Sequence, residues 1–267
     1  VRLGSGELRE LGSVEGRGIW TSGEEDGKPL VLVHGIRLSA SMWRPHARRI
    51  GPGYRIVACD LPGHGSLSER RFTLAGAVDR IGAAVAHAAS GGRPVVLAGM
   101  SLGGFPSLAY AVQHPRTLGG LLLNNCTAQP RGTAVVLYRA AGRLGRWAGK
   151  EWADRIGAAA LRKALSAESA EAAIAGGLSM PGFFDAAQDV PRHDYLAMAG
   201  KLTLPLLISN GRSDWLFRSD ENAFLAAART ADPRARLEHL PGSHLLALTD
   251  PDGFTEVLRR AYRELVG

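Results

Sequence analysis

The sequence predicts an α/β protein, a mostly parallel and doubly wound sheet interrupted by one helical insertion. Two observations predict the sheet and the insertion, and a third bounds the size. Short apolar runs ending in Gly, Asp or Asn recur between longer helical patterns, the alternation of a parallel sheet covered on both faces. That alternation fails over residues 128–198, an Ala-rich stretch with helical periodicity and no strand pattern. The 267 residues, 45% hydrophobic and 21% charged, suit one sizeable core.

The elements follow in chain order. The opening "LRELGSVEGRGIWTSGEED" reads as an antiparallel hairpin on the sheet edge. Buried strands are expected at "PLVLVHG" (29–35), "RIVACD" (55–60), "PVVLAG" (94–99), "GGLLLNN" (119–125) and "LPLLISNG" (204–211), with a further one at "ARLEHLPG" (235–242). Between residues 128 and 198, helical stretches fall near 133–148, 151–164 and 168–177, followed by an aromatic turn, "MPGFFDAAQDVPRHDY". About 70 residues would make a small core of their own, so an insertion is preferred to a second domain. The organisation is therefore core 1–127, insertion 128–198, core 199–267. The tail places Phe254, Val257, Leu258 and Tyr262 or Leu265 at helical spacing and closes the chain with an amphipathic helix.

Composition excludes several classes. The net charge is +7, but the arginines are scattered singly and no aromatic-interleaved motif accompanies them, which argues against nucleic acid. No uncharged apolar run reaches about 18 residues, so no integral membrane span is expected. The start, "VRLGSGELREL", lacks an apolar signal core, and a cytoplasmic location is the expectation. Cys59 and Cys126 end apolar runs and read as reduced core thiols; no Cys/His spacing suggests a metal.

The chemistry starts at Gly99-Met100-Ser101-Leu102-Gly103, set between a strand and a helix. A nucleophilic serine must be lifted clear of the backbone, and a tight strand-to-helix turn does this if glycines remove the clashing Cβ atoms. The helix that follows aims N–H groups at the same spot, where Leu102 N–H could stabilise an oxyanion; Ile36 N–H, after "LVLVHG", is the second expected donor. A serine also needs a base and an orienting acid. His244 in "LPGSHLLALTDP" and Asp214 in "LISNGRSDWLF" each follow a strand, where parallel-sheet ends lie side by side. Other histidines fall in helices, in the insertion or inside a strand, and Asp220 and Asp250 fall in or beside helices. His34 reads as structural, and the strand ending "LLLNN" offers only Asn124 and Asn125.

With "HG" at 34–35, "DLPGHG" at 60–65, "GMSLGG" at 99–104, "GRSDWLF" at 211–217 and "GSHLLALTDP" at 242–251, the chain resembles the α/β-hydrolase superfamily over nearly its whole length. The resemblance implies an eight-stranded sheet, a nucleophile elbow at Ser101 and a helical cap over 128–198. Asp60 and His64 match a structural turn of that family. One departure is the absence of a proline shortly after Asp214, which leaves that loop's shape open. A serine nucleophile sets the chain apart from haloalkane dehalogenases and most epoxide hydrolases.

The implied activity is a cofactor-free serine hydrolase of an ester, lactone or related small acyl compound, working through Ser101, His244, Asp214 and an acyl-enzyme. Within the superfamily the same triad serves C–C bond hydrolysis, thioester cleavage and perhydrolysis. Met100 stands where C–C hydrolases often carry Asn. A non-catalytic small-ligand-binding protein on this fold is the alternative of a different class. Arg37, Met100, Trp147, Phe183, Phe184, Trp215 and Leu245 are the expected pocket residues, although the insertion's aromatics would equally serve to hold its helices together. The stretch "VVLYRAAGRLGRWAGKEW" adds basic side chains that an acidic carrier protein or a lipid surface could meet; a homodimer is likewise without a supporting pattern.

Overall fold

Alternation along the central strands divides their side chains between two cores, because successive residues of a strand point to opposite faces. The computed structural model describes residues 6–13, 16–131, 136, 140 and 149–267. Its strands are β1 (Arg9–Glu10), β2 (Ile19–Gly23), β3 (Lys28–Val33), β4 (Tyr54–Cys59), β5 (Val96–Met100), β6 (Gly120–Asn124), β7 (Leu206–Gly211) and β8 (Arg236–Leu240). They form one sheet in the order β1-β2-β4-β3-β5-β6-β7-β8. The β1–β2 and β2–β4 pairs are antiparallel and the other pairs are parallel.

On one face Val31, Val33, Val57, Leu97, Leu121, Leu123 and Ile208 pack against the helices Leu74–Ala88 and Gly104–Gln113. On the other, Leu30, Leu32, Ile56, Val96, Leu122 and Leu207 meet the helix Pro251–Val266, which contributes Phe254, Val257, Leu258, Tyr262 and Leu265. Each such side chain contributes about 1.5–3 kcal/mol by leaving water. The helices start where the sequence provides caps: Thr73 accepts from Gly76 N–H and Asp250 from Gly253 N–H. Both cysteines are buried free thiols, and burial pushes Cys59 up to about 12.

Between β6 and β7 the described chain is helical: Lys150–Ala164, Ala167–Ile174, Met180–Asp189 and Tyr195–Ala199. The helical stretch expected near 133–148 lies almost wholly outside the described residues, as does Trp147. The expected aromatic turn at 180–195 is corrected to the helix Met180–Asp189, a 3₁₀ turn and a further short helix. Pro181 and Gly182 look like turn residues, but Pro181 sits in the helix's first turn, where its missing N–H costs nothing. Ser179 caps that turn by accepting from Gly182 N–H at 2.9 Å.

A few polar pins fasten this helical segment to the sheet layer. Ser41 donates to Ala172 O at 2.7 Å, Ser179 N–H donates to Arg37 O at 3.0 Å, and Leu74 N–H donates to Asp189 Oδ2 at 2.6 Å. Among the described residues no helix is long and apolar enough to cross a membrane.

Candidate active site

Ser101 follows the last residue of β5 with φ +51°, a left-handed conformation that is uncommon for a residue with a Cβ. Holding it costs on the order of 1–3 kcal/mol and requires surroundings that permit no alternative. The flanking glycines supply them. A Cβ on Gly99 would lie 2.5 Å from Gly103 O, and one on Gly103 would lie 2.6 Å from both Val33 O and His34 O. The turn can therefore close on itself only with glycine at 99, and press against the end of β3 only with glycine at 103.

His244 follows β8 and Asp214 follows β7; these are parallel neighbours, so the two loops emerge at one edge of the sheet. His244 Nε2 lies 2.9 Å from Ser101 Oγ, and His244 Nδ1 lies 2.7 Å from Asp214 Oδ2. The network assigns the ring proton to Nδ1, donating to Asp214, and leaves the Nε2 lone pair facing the serine hydroxyl. Asp214 is nearly buried, and its second oxygen accepts from Phe217 N–H at 3.3 Å. With Asp214 N–H donating to Gly211 O at 3.0 Å, this closes the acid's turn without a proline. The Phe217 ring lies over the imidazole, centroids 3.9 Å apart.

The expected oxyanion donors lie on either side of Ser101. A Cβ on Gly35 would be 3.6 Å from Ser101 Cβ, so the loop bearing Ile36 runs directly alongside the serine. Leu102 sits in the first turn of the 3₁₀ segment Ser101–Gly103 that leads into the helix, where backbone N–H groups lack helical partners. Ile36, Ser101 and Leu102 all face one cavity, whose other walls include Phe105, Ala186, Val190 and Phe217, with Gln129 at its edge. That lining is apolar and aromatic, so it favours an apolar group beside the serine. Among the described residues no cluster of three or more His, Cys, Asp or Glu is placed to hold a metal ion.

The remaining expected pocket residues lie elsewhere, each for a structural reason. Met100 belongs with Val96 and Ala98 to the opposite core, since alternation in β5 turns it away from the cavity. Arg37 reaches the helix Lys150–Ala164, donating to Ala153 O at 3.1 Å and standing 3.8 Å from Asp154. Phe183 packs with Ala153 and Met180 in a small cluster against which the cavity residue Ile36 packs. Trp215 is 80% exposed beside Asp214. Leu245 packs on the core beneath the Pro251–Val266 helix, and Phe184 is half-buried outside the cavity lining.

The other motifs are scaffolding. Asp60 accepts from Ala40 N–H at 2.7 Å, Ser66 N–H at 3.0 Å and Trp20 Nε1–H at 3.3 Å, tying three segments together. His34 accepts from Leu61 N–H at Nε2 (3.0 Å) and donates from Nδ1 to Gly35 O (2.8 Å), so it straps the loop beside Ser101. Burial lowers His34 to about 4 and His64 to about 3, so both are neutral near pH 7. Two contributors escape a reading of the sequence: Phe217 over the imidazole and Asn125, whose amide donates to His244 O at 2.9 Å. For Phe217 the signal is an aromatic three residues after the acid, on the same turn.

The model of the alpha/beta hydrolase family matches residues 30–257. A pimeloyl-[acyl-carrier protein] methyl ester esterase from Photorhabdus laumondii is 32% identical over 104 residues, 39% of this chain and 38% of that one. A 2-hydroxy-6-oxo-6-phenylhexa-2,4-dienoate hydrolase from Comamonas testosteroni is 30% identical over 112 residues, 37% of this chain and 36% of that one. The chain thus spans under two fifths of the length of these curated relatives. Among solved structures, a thermophilic esterase from Thermogutta terrifontis superposes with a TM-score of 0.72 at 23% identity, covering 98% of this chain and 99% of that one. That likeness is one of fold.

Proposed function

The chain belongs to the alpha/beta hydrolase family, and from that premise we propose that it is a serine hydrolase cleaving an apolar ester, lactone or related acyl compound. The reading is carried by one observation: the linear relay Asp214–His244–Ser101, with contacts of 2.7 and 2.9 Å, at the wall of an apolar cavity. His244 Nε2 takes the Ser101 proton as Oγ attacks the carbonyl carbon, and the carbonyl π electrons move onto oxygen. The oxyanion rests against the Ile36 and Leu102 N–H groups, a stabilisation worth roughly 3–4 kcal/mol per donor in a dry site. As the intermediate collapses, the C–O bond to the leaving group breaks and His244 returns the proton to it. Water, deprotonated by the same nitrogen, then attacks the acyl carbon; the bond to Ser101 Oγ breaks, His244 returns the proton to that oxygen, and the acid is released. Asp214 holds the imidazole in the required tautomer throughout.

In this reading residues 128–198 form the cap, whose share of the cavity lining includes Gln129, Pro130, Ala186, Ala187, Val190 and Pro191. The relatives' names include a methyl ester esterase and a dienoate hydrolase; the apolar lining supports an apolar ester, with a small acyl molecule as the partner. The test is labelling by a fluorophosphonate, followed by hydrolysis of a panel of acyl esters and lactones. Ser101→Ala should lose all labelling and on the order of 10⁴-fold or more in kcat/KM while its circular dichroism is unchanged. A folded Ser101→Ala variant that keeps most of its esterase activity would overturn the reading.

A further inference from the structure

Asn125 directly follows β6 in a left-handed conformation, φ +51°, and is fully buried. Asparagine tolerates that conformation better than most residues. The turn carries its side chain across the end of β7 to the loop that holds His244. There the amide engages three backbone groups at once. Oδ1 accepts from Gly211 N–H at 2.8 Å, while Nδ2 donates to His244 O at 2.9 Å and to Ser243 O at 3.3 Å. Gly211 lies three positions before Asp214, so one side chain ties together the roots of the acid loop and the base loop.

The clamp is itself held. Asn125 N–H donates to Asn210 Oδ1 at 3.1 Å, and Asn210 Nδ2 donates to Thr127 Oγ1 at 2.8 Å and Glu221 Oε2 at 2.9 Å. The two loops also meet backbone to backbone, because a Cβ on Gly211 would lie 2.6 Å from Ser243 O. Buried carbonyl and N–H groups without partners are costly, so the loop would move to find others.

We infer that Asn125 is a positioning residue for the reaction: its amide sets where His244 stands between Asp214 and Ser101. This rests on the reading of His244 as the general base. Two variants separate positioning from ordinary packing. Asn125→Asp keeps the size and the acceptor for Gly211 N–H but turns a carboxylate oxygen toward two carbonyl oxygens. Asn125→Gly keeps the left-handed backbone at no strain and removes the amide.

Both are to be compared with wild type by ester kinetics, thermal melting and the low-field proton resonance of the Asp214–His244 hydrogen bond. The expected result is a fall in kcat of roughly 10–100-fold, the scale of an ångström-level misplacement, with KM little changed and the resonance broadened or lost. If either folded variant keeps wild-type kcat and a sharp resonance, whatever its melting temperature, Asn125 is packing only and the inference falls. If instead Asp214→Asn also leaves turnover and the resonance intact, the triad reading is what has failed.

Discussion

The cavity beside Ser101 has two walls built on different principles. The sheet wall, at the carboxyl ends of β3 and β5–β8, is fixed by backbone ladders, by glycines whose Cβ atoms would collide with carbonyl oxygens, and by buried amide networks. The helical wall, from the segment between β6 and β7, is held mainly by apolar contacts, Ala186 and Val190 in the core beneath it and Phe183, Met180 and Ala153 in a small cluster of their own, together with polar pins. The first arrangement tolerates almost no displacement, because each buried polar group has one geometry that satisfies it. The second can repack, because apolar contacts are non-directional. Groups that must meet to within a fraction of an ångström sit on the first wall, and side chains that only bound the cavity sit on the second.

Substitutions can break or sharpen that contrast. The largest expected effect is on the sheet wall: Asp214→Asn keeps the shape but lets the imidazole take the wrong tautomer, and kcat/KM should fall roughly 10³–10⁴-fold with stability near wild type. Asp250→Asn, at an exposed helix cap where either residue serves, is the control and should leave kcat/KM unaltered. Equal losses in the two variants would remove Asp214 from its assigned role.

On the helical wall the effects should divide differently. Phe183→Ala, which empties a buried contact away from the cavity lining, should cost ~3–5 kcal/mol in stability while the preferred acyl chain length stays the same. Val190→Phe, at the lining itself, should shift preference toward shorter acyl chains by roughly tenfold or less, with a smaller change in melting temperature. A Phe183→Ala enzyme with altered selectivity and unchanged melting would reverse these assignments.

The smallest effect per group is with pH. Burial holds His34, just after β3, His46, in the helix Arg44–Arg49, and His64, in the turn after β4, at about 4, 3 and 3 against 6.5 in the unfolded chain. The unfolded chain therefore binds protons that the folded one refuses. Stability is full above pH 6.5 and is lost as pH falls toward 4, by on the order of 1 kcal/mol per histidine per pH unit. Melting temperatures from pH 7 to 5 should fall accordingly, and His46→Leu should fall less steeply. Identical slopes would show that His46 contributes nothing to the pH dependence.

Much of this layout is legible in the residues, for identifiable reasons. Apolar runs of strand length mark β3 to β7 because a strand buried on both faces must be apolar throughout. Ser101, Asp214 and His244 stand out because each follows such a run, and the structure brings the three within hydrogen-bonding distance. Side-chain direction is less legible. Adjacency to Ser101 points Met100 to the pocket, although two-residue alternation turns it away. Arg37's neighbours point it there too, but its guanidinium is drawn to a carbonyl 116 positions along the chain. Asn125 is the hardest kind of residue to foresee: its partners are main-chain groups of distant loops, which leave no mark of residue type.

The connection between β6 and β7 has a further consequence. The two strands are hydrogen-bonded neighbours, so the chain that leaves Asn124 returns to the strand alongside, and everything between is a detour that leaves the ladder undisturbed. Lengthening such a detour costs little, about 0.6 kcal/mol for each doubling. Descent can therefore rewrite this stretch, or exchange it whole, while the machinery at the sheet edge is inherited intact. A transplant of the segment from a distant relative, joined at residues 128 and 198, is the laboratory form of that exchange.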